Sequence, residues 1–305
     1  MTATAEHDLA PAATPYRLAG SDSAQTTKAF QRLIDKSLRE SMDYHLSVPW
    51  DMGVDKTKPA KRFEQTWLYH SSAWQKFTPE QQVEITWLET ARDVSMVVNL
   101  ETLIPQLFST YMNSHSESMS PEIHEYMMIF EREELMHILA FHRYLRLIGH
   151  AKHAKMPYFY QLVDYLLTTQ PEVGIVFTLS IEWLAEAKVM MNQTKEVDPL
   201  TRALWRAHHI DEVRHIHFGK TIAEAWFAAN PPEATAGIRA KLREMMLKMI
   251  HAVPAIQSHA SFTFPCDMND PALIDEVRAS ESYQRVIEAR FGEIFAWCRK
   301  LGVEL

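Results

Sequence analysis

Glycine is scarce in this chain, with 8 residues in 305 against 16 methionines. A turn-rich β architecture is hard to build from so little glycine, and the wealth of Leu, Ala, Glu and Gln favours helix. Cysteine is nearly absent too. Cys266 and Cys298 are the two present, too far apart for a C-x-x-C metal or redox pair, and such sparse use fits a reducing compartment. There is no long Lys/Arg stripe, and the formal net charge is −8, which together argue against a nucleic-acid partner. No apolar run approaches the length of a membrane span. The N-terminal "MTATAEHDLAPAATP" lacks a basic segment followed by an apolar one, so no export signal is expected. The reading is a cytoplasmic protein with no membrane partner. Its 47% hydrophobic content is enough for a sizeable core.

What is present is helical punctuation. Thr78-Pro79, Ser120-Pro121 and Asp198-Pro199 each set a capping side chain before a proline at the first helical position. Thr78 with Gln81 also fits a capping box. These starts predict helices near 79–113, 121–149 and 199–228, with Pro105 kinking or breaking the first. Further helices are expected near 26–45, 157–169, 172–193, 234–251 and 272–300. Residues 47–62 read as an irregular connection, and "HAVPAIQSHASFTFPCDMNDP" as a loop. Nothing alternates with period two, so the fold class is all-α. Residues 1–25 read as a flexible tail and 26–305 as a single domain, with a four-helix bundle at about 79–228 and additional N- and C-terminal helices.

Two of these helices carry Glu134-x-x-His137 and Glu212-x-x-His215, the only E-x-x-H pairs in the chain. One turn apart, a carboxylate and an imidazole project from one face and can share a metal ion. The other half of a carboxylate-bridged dinuclear site is one Glu from each partner helix. Glu101 stands on a face with Val94, Val97, Val98, Ile104 and Phe108, and Glu182 on one with Ile175, Leu179, Ala185 and Val189. A carboxylate among such neighbours is expensive to bury unless paired or metal-bound. Glu101 precedes Glu134 by 33 residues and Glu182 precedes Glu212 by 30, each the length of a helical hairpin. Glu186, one turn after Glu182, is its rival or a supporting residue.

The stretch "HHIDEVRHIHFG" holds four histidines in ten residues. At about 100° per residue, His208, Glu212 and His215 share a face, His209 stands about a quarter-turn away and His217 lies opposite. His208 is therefore a further metal candidate, while His209 and His217 pack or face water. Asp211 and Glu133 each precede a ligand glutamate. They are expected to accept the distal N–H of His137 and His215 respectively, fixing the tautomers. Oxygen and nitrogen donors without thiolate suit iron, with manganese as a possible substitute.

The paired E…E-x-x-H pattern with "DEVRH" resembles the ferritin-like di-iron carboxylate proteins over about residues 80–228. The histidine four residues before the last ligand glutamate narrows this. The chain is similar to the di-iron arylamine N-oxygenases, whose length and helix order also fit. The resemblance implies seven ligands to two iron ions: Glu101, Glu134, His137, Glu182, His208, Glu212 and His215. It implies O2-dependent oxidation of a small aromatic amine through hydroxylamine and nitroso stages towards nitro, with an external electron donor. It further implies a homodimer.

The substrate pocket is less legible. Val97, Ile104, Phe108 and Leu179 are expected to line it, and no carboxylate clamp is evident, since Arg92 lies about 180° from the Glu101 face. The alternative use of such a site is carbon oxidation by a hydroxylase or desaturase acting on a carrier-bound substrate, with "KTKPAKR" (56–62) and "RAKLR" (239–243) as landing patches. Iron storage is disfavoured by the extra helices and the seventh ligand. Tyr111, Tyr126 and Tyr144 are not assigned to positions beside the metals.

Overall fold

A computed structural model describes residues 17–19, 23–155, 157–251 and 263–305. The described residues contain helices and turns and no strand. Helices α1 (Ala24–Glu40) and the four-residue α2 (Tyr44–Ser47) come first. The connection over 47–62 is irregular, as expected, apart from one 3-10 turn at Trp50–Met52, and three more such turns follow between Phe63 and Lys76. Then follow α3 (Pro79–Glu101), α4 (Leu103–His115), α5 (Pro121–Ile148), α6 (Pro157–Leu167), α7 (Pro171–Met190) and α8 (Pro199–Ala229). Helices α9 (Pro232–Ile250), α10 (Pro271–Ala279) and α11 (Glu281–Lys300) close the chain.

The starts obey local chemistry. Thr78, Ser120 and Asp198 accept the backbone N–H groups of Gln81, Ile123 and Thr201. Each such cap is worth about 1 kcal/mol. Gln81 returns a side-chain bond to the Thr78 N–H, completing the capping box. Gly149 ends α5 in the left-handed conformation, φ 77°.

Two expectations need correction. The first bundle helix breaks at Thr102, three residues before Pro105. A proline acts on the carbonyl four residues back, here that of Glu101, so the break falls beside a site residue. The expected single helix 272–300 is two, because Ser280 caps α11 by accepting from Tyr283 N–H. The tail expected over 1–25 lies mostly outside the described residues, as does most of the loop after His251. Leu18 is nonetheless buried, and its N–H bonds the Ser118 carbonyl.

Hairpins α3–α5 and α7–α8 pack side by side through α5 and α8. Helix α4 lies against α5 and α7, α1 covers the α5–α8 seam, and α9 and α11 lie on α7. Helices α7 and α8 approach closely at Gly219, where an added Cβ would stand 2.7 Å from Leu179 Cβ. Two apolar clusters result. One holds Phe108, Phe130, Leu179 and Phe218. The other holds Val97, Phe141, Leu204 and Trp205. The polar site lies between them.

Candidate metal centre

All seven predicted donors converge. Glu101 comes from the end of α3, Glu134 and His137 from α5, Glu182 from α7, and His208, Glu212 and His215 from α8. They form two groups of mutually close donor atoms, Glu101/His137/His208/Glu212 and Glu134/Glu182/His215. None is more than 6% exposed. His208 Nε2 stands 2.8 Å from Glu101 Oε1 and 3.3 Å from Glu212 Oε1. His137 Nδ1 is 3.5 Å from oxygens of Glu101, Glu134 and Glu212. His215 Nδ1 is 3.0 Å from Glu134 Oε1 and 3.4 Å from Glu212 Oε1. Glu212 thus touches both groups.

The inward donors are short of partners. Both oxygens of Glu134 and Glu182, Glu101 Oε2, Glu212 Oε1, and Nδ1 of His137 and His215 are buried without a hydrogen bond. An unsatisfied buried polar atom typically costs about 1–3 kcal/mol, so this many at one spot marks a place for cations. Four carboxylates balance two divalent ions, and the all-oxygen-and-nitrogen set fits that use.

The site's titration reflects the crowding. Burial pushes Glu182 well above the usual carboxylate range, helped by the charges of Glu212 and Glu134. Burial likewise raises Glu101. Glu212 instead falls to about 2, because His208, His215 and His137 outweigh its burial. Burial opposes protonation of His208, yet Glu212 and Glu101 carry it to about 10.

The outer supports stand where expected. The His137 Nε2–H donates to Asp211 Oδ2 at 3.2 Å, and the His215 Nε2–H to Glu133 Oε2 at 2.9 Å. Glu186 is not in either donor group. It bonds His209, and its other oxygen lies 3.6 Å from His208 Nδ1. His209 is therefore paired rather than merely packed, and His217 is exposed. Apolar rings close the site on two sides. Phe130 stacks on His215 with centroids 3.6 Å apart, and Phe141 and Trp205 lie against His208.

Sequence reasoning missed two residues. Arg214 bonds both Asp211 and Glu133. Tyr44 donates its hydroxyl to Asp211 Oδ2 at 2.8 Å. Arg214 had a signal, standing three residues after Asp211 on one helix face. Tyr44 had none, being 167 positions away on a four-residue helix.

The helices that carry these donors lie within one continuous family match. The model of the p-aminobenzoate N-oxygenase AurF family covers residues 23–302. The chain belongs to this family. No curated protein matches it. The AurF-family match spans α1 to α11, so the additional helices are part of the shared architecture, a ferritin-like all-helical fold.

A cleft partly open to solvent lies beside the centre, lined by neighbours of the donors rather than by the donors themselves. Val97 and Leu100 beside Glu101, Leu184 and Ala185 after Glu182, and Trp205 against His208 form its inner wall. Of the expected lining, Val97 is present. Ile104 and Phe108, on α4 beyond the break at Thr102, and Leu179, on α7, instead lie in the core. The outer wall carries Lys61, Arg92, Lys188 and Arg290 with Glu89 and Asp93. Lys61 and Arg92 pair with the two acids, Arg92 NH2 lying 2.8 Å from Asp93 Oδ1 and Lys61 Nζ 3.4 Å from Glu89 Oε2. The Lys188 ammonium makes no side-chain hydrogen bond or close ion pair among the described residues, facing only the more distant charge of Asp93, and Arg290 Nε is buried without a partner. Two cations are left over. No helix is long and apolar enough to cross a membrane among the described residues.

Proposed function

We propose that the seven residues bind two iron ions and that the chain catalyses O2-dependent N-oxygenation of an aromatic amine, through hydroxylamine and nitroso stages towards nitro. The observation that carries this reading is the pair of buried donor groups, rich in orphaned oxygens and imidazole nitrogens, with a cleft beside them. Held by these seven residues, two ferrous ions would provide the reducing equivalents for O2, to be restored by an external donor.

The chain's own residues supply the rest. Asp211 and Glu133 hold the tautomers of His137 and His215, so that Nδ1 faces inward. Phe130, Phe141 and Trp205 exclude water, which strengthens every electrostatic interaction within. The apolar inner wall accepts the aromatic ring and turns its nitrogen towards the donors. Lys188 and Arg290, at the far end, hold an anionic ring substituent. Lys188 stands six residues beyond Glu182, about 9 Å of rise along α7, a span that one substituted ring bridges.

Carbon oxidation on a carrier-bound substrate is the second reading. It calls for an exposed basic patch, and the two basic runs are largely committed elsewhere. Lys61 turns into the cavity and Lys56 lies over Trp87. Arg239 lies over Phe227 and Arg243 bonds the Glu304 carbonyl.

The test is anaerobic loading with ferrous iron, then exposure to O2 and an arylamine with product analysis. Two irons per chain and an oxidised nitrogen product are expected. Fewer than two irons refutes the dinuclear site, and oxidised carbon in place of nitrogen favours the second reading.

A further inference from the structure

Arg214 is 1% exposed, and every nitrogen of its guanidinium is engaged. Nε donates to Ser37 Oγ at 2.7 Å, and NH1 to the Ile210 carbonyl at 2.9 Å. NH2 donates to both Glu133 Oε1, at 2.9 Å, and Asp211 Oδ1. The opposite oxygens of those same carboxylates accept the distal N–H groups of His215 and His137. A continuous chain therefore runs His137–Asp211–Arg214–Glu133–His215. Its two ends lie in different donor groups.

Each carboxylate is almost wholly buried, so its remaining oxygen needs a donor. One guanidinium meets both needs through Nη2 while Nε and Nη1 anchor it to Ser37 and Ile210, four bonds that an ammonium with three N–H groups cannot make together. Tyr44 adds a donor to Asp211 only. His208 lies outside the chain: its Nδ1 has no hydrogen-bond partner, with the nearest Glu186 oxygen 3.6 Å away.

We propose that Arg214 is a positioning residue that fixes the imidazoles of His137 and His215 together, one for each metal position, while Tyr44 fixes His137 alone. The inference rests on the dinuclear reading above. Removing Arg214 leaves Asp211 Oδ1 without a donor and Glu133 Oε1 with only the half-exposed Arg132 at 3.6 Å, so both carboxylates can rotate away from the histidines they hold. Loss of an outer partner of this kind costs about 10–100-fold in metal affinity. Here one substitution reaches both positions.

Cobalt(II) titration followed by proton NMR tests this without turnover. In the wild type, two cobalt ions per chain are expected, with a slowly exchanging, paramagnetically shifted imidazole N–H signal from each of His137 and His215. Arg214→Gln should lose or broaden both signals and weaken both binding steps by about 10–100-fold. Tyr44→Phe should perturb the His137 signal and spare that of His215. Arg214→Lys keeps the charge but bridges one carboxylate, so one signal should survive, and this variant decides the matter if the glutamine form does not fold. Both signals surviving in folded Arg214→Gln, or Tyr44→Phe disturbing both equally, overturns the proposal alone. Fewer than two cobalt ions in the wild type removes the dinuclear reading and the proposal with it.

Discussion

Lys188→Met removes one of the two cations that the cavity leaves unmatched. Lys61 and Arg92 are neutralised by Glu89 and Asp93 at close range, whereas the Lys188 ammonium has no close ion pair among the described residues and shares only the more distant charge of Asp93. An anion entering the cavity gains a charge-assisted hydrogen bond there, worth about 1.5–3 kcal/mol. Converted at about 1.4 kcal/mol per decade, the substitution should weaken anion binding by about 10–150-fold. Benzoate is the suitable probe, because it carries a ring and a carboxylate but no amine, and its calorimetric Kd is independent of any reaction. Benzamide, isosteric and neutral, should bind the wild type and the variant alike. The pH dependence supplies a second check. Burial, with Arg290, Arg92 and Lys61 nearby, pulls Lys188 down to about 8 against the opposing charge of Asp93. Below that value the ammonium is charged and benzoate binds. As pH rises through it the charge is lost, so affinity should fall in the wild type and stay flat in Lys188→Met. Equal benzoate affinity in both proteins, or a pH profile unchanged by the substitution, refutes the anion site.

Two glycines on neighbouring helices should respond to alanine with opposite signs. Gly219→Ala drives a methyl to 2.7 Å from Leu179 Cβ and should lower stability by about 1–3 kcal/mol through overpacking, read by denaturant melts. Gly237→Ala on α9 meets nothing within 4 Å and should raise stability by about 0.5–1 kcal/mol. Metal loading should itself depend on pH. His137 and His215 are lifted well above the usual imidazole range, against their burial, by bonds to Asp211 and Glu101 on one side and by Glu212 and Glu133 on the other. Protons thus occupy ligand atoms at neutral pH, so loading must release them, and apparent affinity should rise with pH. Calorimetry of manganese(II) binding in buffers of differing ionisation enthalpy measures that release, and none at pH 7 refutes it.

The donors were legible because each lies on a long helix, where about 100° per residue turns spacing into direction. Glu134 with His137, and His208 with Glu212 and His215, need no tertiary information to share a face. The outer pairs Asp211–His137 and Glu133–His215 followed from two-fold reasoning about the hairpins, and the geometry places them so. The break at Thr102 was legible in kind but misplaced, because proline acts on the carbonyl of the preceding turn.

The cavity obeyed a different logic. Arg92 was set aside as sitting opposite the ligand face of α3, and its direction was read correctly. What covers that side of the helix was not legible from the helix alone. In a bare four-helix bundle the back of α3 meets water. Here the turns between Trp50 and Lys76 and the helix α11 cover it, bringing Lys61 and Arg290 against Arg92, Asp93 and α7's Lys188. Gln65 and Arg290, bonded at 2.5 Å, are 225 residues apart. Period and caps carry no trace of such a meeting, since it depends on how separate elements dock. The additional helices, which read from sequence as surplus, are the elements that turn a charged helix back into the wall of a cleft.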